Sequence, residues 1–309
     1  MLRRGGSRLG ALLLASLWAG LSWIFPTSPT LCWSPPRGKK RAAWQGSERL
    51  AYTSGKLKIT ARCFRPRIRN AAATAHPAII YCHDGVSGIS RETLLFCREM
   101  ADWGYVVFAP AFRGEDGSDG EVEVAKGEVQ DVLSAISFVK KLPGVDPRRI
   151  ALLGTSHGAL IAILAASRTS EIVALIECYG VTNVYAWWDY LKTHGFDTDD
   201  PLSRKTYGKG PKDRPQAFEI RDARAVAHRI SCPVLILHGE KDRIVPADQA
   251  IEFHSVLVRL GKNATFKQYK DAGHGFLVYA PPFRSRDSDS VARKQALDDV
   301  RDFLVQTMR

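Results

Sequence analysis

The chain has 309 residues, 45% hydrophobic and 25% charged, which excludes a collagen-like, a largely disordered and a polytopic membrane protein. Of the formal net charge of +12, seven Lys and Arg before residue 42 supply more than half and leave only +5 for residues 42–309. The body therefore carries no concentrated basic stripe, and no nucleic-acid partner is expected.

Arg3, Arg4 and Arg8 precede an uncharged stretch, Leu9–Pro36, whose apolar heart is Ala11–Phe25. A basic head before an apolar run of this length reads as a secretory signal peptide. Two alternatives stay open. One is an uncleaved signal anchor that tethers the chain to a membrane with its body outside the cytoplasm. The other is a plastid or mitochondrial targeting segment. The chain thus divides into residues 1–36 as signal peptide or anchor, 37–47 as linker, and 48–309 as the folded body. Cys32, Cys63, Cys82, Cys97, Cys178 and Cys232 show no metal-ligand spacing and read as small buried hydrophobes rather than a disulfide framework.

In chain order, Lys56–Phe64 alternates as an edge strand does, and Ala78–Cys82 is a short apolar run typical of a buried strand. Arg91–Trp103 has helical spacing, and Tyr105–Ala109 is β-branched and aromatic, hence a strand. Glu121–Leu142 reads as mostly helical, with Val129, Val132, Leu133, Ile136 and Val139 on one face and Pro143-Gly144 as its stop. Strand Arg149–Leu153 and helix Ser156–Ser167 follow, then strands Ile172–Cys178, Val234–Leu237 and Thr265–Tyr269 and helices Ala247–Leu260 and Val291–Gln306. Apolar strands alternating with helices predict a mostly parallel central sheet with helices on both faces. Residues 181–229 break this rhythm with aromatics, Gly, Pro and charge, and read as a short lid-like insertion.

The strongest chemical signal is Gly154-Thr155-Ser156-His157-Gly158, set between a strand and a helix. This is the context of a nucleophile elbow, in which a sharp turn lifts the serine hydroxyl above the sheet and side chains at the two glycines would strike backbone. A serine needs a base. His274, in Asp271-Ala272-Gly273-His274-Gly275-Phe276, follows the strand Thr265–Tyr269 and is the candidate. Asp242 follows the strand Val234–Leu237 and is the candidate acid that orients the imidazole, with Glu240 and Asp271 as rivals. Acyl transfer also needs oxyanion donors. The backbone N–H of His157 is one, and the second is expected from the loop His83-Asp84-Gly85-Val86, at Gly85 or Val86. Trp187, Trp188 and Tyr190 are candidates to line a substrate pocket, with packing of the insertion against the body as the alternative. Phosphate loops, calcium loops and dinucleotide fingerprints are absent, so neither metal nor cofactor is expected.

The run from Phe112-Arg113-Gly114 through the elbow to His238-Gly239-Glu240-Lys241-Asp242 and Gly273-His274-Gly275-Phe276 resembles an α/β-hydrolase. More narrowly, residues 78–308 are similar to the catalytic domain of the prolyl-oligopeptidase family and to dienelactone-hydrolase-like proteins. The resemblance implies an α/β-hydrolase fold, with Ser156 as nucleophile, Asp242 as acid, His274 as base and Gly85 in the oxyanion loop. Two departures stand out. The peptidases of that family usually carry a β-propeller before the catalytic domain, and the short stretch between the apolar run and the first expected sheet strands is too small to hold one. Their oxyanion loop commonly reads His-Gly-Gly, where this one reads His83-Asp84-Gly85. The expected activity is a serine hydrolase acting on a small ester or a short peptide, with ester cleavage slightly favoured. A peptidase is the alternative within enzymes, and a non-catalytic binding module on the same fold is the alternative outside them.

Overall fold

The computed structural model describes residues 46–67, 75–279 and 287–309. Residues 1–36, for which a targeting role is expected, Cys32 and nearly all of the expected linker lie outside them. Eight strands form one sheet: β1 (Ser47–Ser54), β2 (Leu57–Phe64), β3 (His76–Cys82), β4 (Val106–Ala111), β5 (Val145–Thr155), β6 (Ala174–Cys178), β7 (Val234–Gly239) and β8 (Ala264–Tyr269). Their order across the sheet is β1-β2-β4-β3-β5-β6-β7-β8. The pairs β1/β2 and β2/β4 are antiparallel and every other pair is parallel.

The helices are α1 (Arg91–Asp102), α2 (Gly127–Val139), α3 (His157–Ala166), α4 (Val184–Thr193), α5 (Pro201–Tyr207), α6 (Pro215–Glu219), α7 (Ala223–Val226), α8 (Asp248–Arg259) and α9 (Asp287–Thr307). Side chains alternate across the sheet. Ile80, Leu152 and Ile236 therefore join one core with α2, α3 and α8. Ile79, Leu153 and Leu237 join the other core with α1 and α9. Both faces are covered, which is why β3, β6 and β7 read as continuous apolar runs. The mostly parallel sheet with helices on both faces stands as expected.

The larger departures from expectation concern β1, α2 and β5. The strand at Lys56–Phe64 is not the edge, because β1 pairs along its whole length at the start of the folded body, where the sequence suggests no strand. β1 is polar, with only Tyr52 and Ser54 buried, so backbone pairing rather than apolar alternation holds it. The helix expected from Glu121 begins only at Gly127. Val124 and Ala125 sit at φ 53° and 57°, in the left-handed region that a β-branched residue rarely enters. The Glu128 carboxylate holds this turn by accepting from the N–H groups of Glu123, Val124 and Lys126. Third, β5 begins at Val145 rather than Arg149.

The insertion folds as α4–α7 around its own apolar cluster, with Trp188 and Tyr207 beside Phe218. Arg221, only 3% exposed, donates to the carbonyls of Val124, Ala217 and Glu123 at 2.5, 2.6 and 2.7 Å and so ties the insertion to the strained turn. The five cysteines among the described residues are buried and free.

Candidate active site

Ser156 lies between β5 and α3 at φ 52°, ψ −118°, a strained conformation for an L-residue. Its neighbours explain how the turn closes. A Cβ at Gly154 would fall 2.3 Å from the Gly158 carbonyl oxygen, and one at Gly158 would fall 2.1 Å from the Cys82 carbonyl oxygen. Both glycines are therefore required by close backbone approach. The second approach also seats the loop after β3 directly against the elbow. Ser156 N–H donates to the Cys178 carbonyl at 2.9 Å, which fixes the turn to the end of β6.

The other two side chains arrive on loops at the same carboxyl edge of the sheet. His274 Nε2 stands 2.9 Å from Ser156 Oγ, and its Nδ1 stands 2.7 Å from Asp242 Oδ2. The other carboxylate oxygen of Asp242 accepts from the N–H groups of Ile244 and Val245, both at 2.9 Å. Burial opposes ionisation of Asp242, but the His274 and His238 imidazoles outweigh it and hold the carboxyl well below the usual range. An ionised Asp242 keeps the His274 proton on Nδ1, so Nε2 is left to accept the serine O–H. The rival acids lie elsewhere: Asp271 pairs with Lys241, and Glu240 is exposed. That ion pair and the Lys241 N–H to Ala272 carbonyl bond of 2.9 Å lock the acid loop to the histidine loop.

The oxyanion candidates sit beside the elbow. The His157 side chain is buried, with Nδ1 2.8 Å from the Gly85 carbonyl. Gly85 takes φ 69°, and half-buried Val86 packs against the insertion. Of the pocket candidates, Trp187 donates from Nε1 to the Ile244 carbonyl at 3.1 Å, and Tyr190 donates its hydroxyl to the Arg243 carbonyl at 2.8 Å. Helix α4 thus docks on the acid loop. Trp187 and Trp188 are 3% and 2% exposed. They serve the insertion's packing, with the half-buried Tyr190 beside them.

Several groups at the site were not singled out from sequence. Tyr179, at φ 44°, packs edge-on against the His274 ring with centroids 5.1 Å apart. His238 is buried behind Asp242, with Nε2 2.8 Å from the Val245 carbonyl and 3.4 Å from Asp242 Oδ2. Burial opposes charge on His238, but Asp242 outweighs it and raises its pKa. Glu177, buried within β6, accepts from Gly180 N–H at 2.5 Å, and burial pushes its carboxyl up to about 7. The one available signal was a carboxylate inside the apolar run ALIEC. Among the described residues no cluster of three or more His, Cys, Asp or Glu forms a metal site, and no helix is long and apolar enough to cross a membrane.

The model of the dienelactone hydrolase family matches residues 64–308. The chain belongs to the dienelactone hydrolase family. It is 25% identical over 238 residues to an uncharacterized peptidase, YtmA, of Bacillus subtilis, covering 77% of this chain and 88% of that protein. It is 27% identical over 223 residues to dipeptidyl-peptidase 5 of Porphyromonas gingivalis, covering 65% of this chain but only 31% of the peptidase. An acylaminoacyl peptidase structure from Pyrococcus horikoshii superposes with a TM-score of 0.69 at 21% identity, over 85% of this chain and 42% of that one. The chain therefore spans less than half of those two larger proteins. Its fold is that of the α/β-hydrolases, and with its family and relatives this makes it a hydrolase.

Proposed function

We propose that this hydrolase cleaves acyl bonds through a covalent intermediate on Ser156. The observation that carries the reading is the continuous chain from Ser156 Oγ to His274 to Asp242, with links of 2.9 and 2.7 Å, ending on a serine held in a strained turn. Ser156 Oγ attacks the acyl carbon as its proton passes to His274 Nε2. The C=O bond becomes a C–O⁻ single bond, and N–H donors beside the elbow stabilise that charge. His274 then returns the proton to the departing alcohol or amine as the acyl bond breaks. A water molecule repeats the sequence, giving its proton to His274 and its hydroxyl to the acyl carbon, and Ser156 recovers its hydrogen. Asp242 stays ionised and stabilises the imidazolium in both halves.

A small or medium acyl ester is the first substrate class. The departure of the oxyanion loop from His-Gly-Gly is the observation behind it. The second class is a short peptide, favoured by curated relatives named peptidases. Comparing p-nitrophenyl esters with aminoacyl p-nitroanilides separates the two. Labelling with a fluorophosphonate tests the serine itself: the wild type takes the label and Ser156→Ala does not. An unlabelled wild type that still binds acyl ligands would instead support a binding module. Export of the body rests on the pattern of residues 1–36 alone, and cell fractionation tests it.

A further inference from the structure

The loop after β3 is held from behind by two imidazoles. His83 Nδ1 lies 2.9 Å from the carbonyl oxygen of Asp84, and His157 Nδ1 lies 2.8 Å from the carbonyl oxygen of Gly85. A carbonyl only accepts, so Nδ1 carries the proton in both rings. The two carbonyls belong to successive peptide units. In a planar trans peptide the C=O and N–H point in opposite directions. The His83 bond therefore sets the direction of Gly85 N–H, and the His157 bond sets that of Val86 N–H. These are the two groups between which the second oxyanion donor was left open by sequence.

The anchors are themselves fixed. His83 is fully buried, with Nε2 3.1 Å from Glu115 Oε2 and its ring 4.7 Å from that of Phe112. Burial works against charge on His83, but Glu115 outweighs it and raises its pKa to about 9, with the Asp84 carbonyl and carboxylate adding to the shift. Burial lowers His157 to about 4, against the Gly85 carbonyl bond and Glu115, with His83 and Arg221 pushing the same way as burial. At neutral pH one ring is a cation and the other is neutral, yet each presents Nδ1–H. The Asp84 side chain is tied too, accepting from the Tyr279 hydroxyl at 2.6 Å. The glycine at φ 69° has no side chain with which to stiffen the loop.

We infer that His157 and the His83–Glu115 pair are positioning residues that lock the peptide planes of the second oxyanion donor, so that the rate of acyl transfer, and not substrate binding, depends on them. The inference rests on the nucleophile reading of Ser156. His157 would then act twice, its backbone N–H as the first donor and its imidazole as the clamp on the neighbouring loop.

The test compares p-nitrophenyl acetate with its thiono analogue, in which C=S replaces C=O. Sulfur is larger and a weaker acceptor, so aligned N–H donors favour the oxygen ester and misaligned donors discriminate little. In His157→Asn the amide nitrogen falls near the place of Nδ1. In His157→Gln it falls near the place of Nε2 and misses the Gly85 carbonyl. The glutamine variant should lose on the order of 10²-fold in kcat on the oxygen ester with KM changed less than about threefold, and its oxygen-to-sulfur rate ratio should collapse. The asparagine variant should recover most of both. An oxygen-to-sulfur ratio that is the same in wild type, asparagine and glutamine variants overturns the inference. Glu115→Leu provides an independent arm with the same expected collapse, which decides the matter if a His157 variant does not fold. Ser156→Ala is measured alongside. Turnover that survives it overturns the nucleophile reading, a result distinct from an unmoved ratio in an enzyme that needs Ser156.

Discussion

Replacing Gly158 by alanine adds one methyl group at the most crowded point of the site. The new Cβ would stand 2.1 Å from the Cys82 carbonyl oxygen and 2.4 Å from that of His83, where ordinary contact begins at 3.4 Å. Both neighbours are backbone at the end of a central strand, so no flexible side chain can turn away. Relief requires the elbow and the loop after β3 to part by roughly an ångström. Overpacking of this kind costs about 1–3 kcal/mol, set against a gain in helix propensity of at most about 1 kcal/mol for alanine over glycine in α3. A net loss of about 1–2 kcal/mol is expected in urea unfolding. The rate suffers more, because a displacement of about 1 Å between reacting groups costs on the order of 10²-fold. Turnover of p-nitrophenyl acetate and the urea midpoint are the two assays. Gly261→Ala is the comparison: Gly261 has φ 68° and nothing within 4 Å of its Cβ, so it should lose about 1 kcal/mol to backbone strain and no activity. A Gly158→Ala protein as stable and as fast as wild type would refute the close-approach account of the elbow.

Asp242→Asn should lower kcat by about 10³–10⁴-fold with little change in stability, because an amide facing Nδ1 drives the His274 proton to Nε2, where it cannot accept from Ser156; steady-state kinetics and a thermal melt check both halves. The raised pKa of His83 makes its pairing with Glu115 a pH-dependent contribution to stability. It is present in full below about 6.5 and is lost as pH rises through about 9. Between pH 6.5 and 9.5 the wild type should lose up to about 3 kcal/mol more than Glu115→Gln in urea unfolding, and parallel curves would argue against the pair. Arg221→Met leaves the carbonyls of Val124, Ala217 and Glu123 without their donor. It should cost about 2–4 kcal/mol, with faster proteolysis of residues 181–229 as the visible sign of a loosened insertion.

The elbow was legible because its constraints are local. Two glycines around a serine, a strand before and a helix after are all contiguous in the chain. Asp242 and His274 were legible for a related reason: each follows a strand, an apolar one for Asp242 and the more polar β8 for His274, and loops at the carboxyl ends of parallel strands share one edge of the sheet. The polar strand β1 carried no such mark, since its partner β2 supplies its hydrogen bonds and little of it is buried. The turn at Val124-Ala125 reads as helix in the sequence because one of the two side chains that decide it is remote: Glu128 is a near neighbour, but Arg221 comes from the insertion 97 residues on.

Apolar periodicity and a pentapeptide turn were enough to establish the layered architecture and the chemistry that a serine, a histidine and an aspartate can perform. Both depend on short-range patterns, where each residue's surroundings are set by its neighbours in the chain. Which acid meets His274, and what holds the loop of His83 to Gly85, were settled only when the chain folded. Those contacts join residues 32 and 72 positions apart. Their energies come from burial and hydrogen-bond geometry, which do not exist until the sheet has brought the loops together.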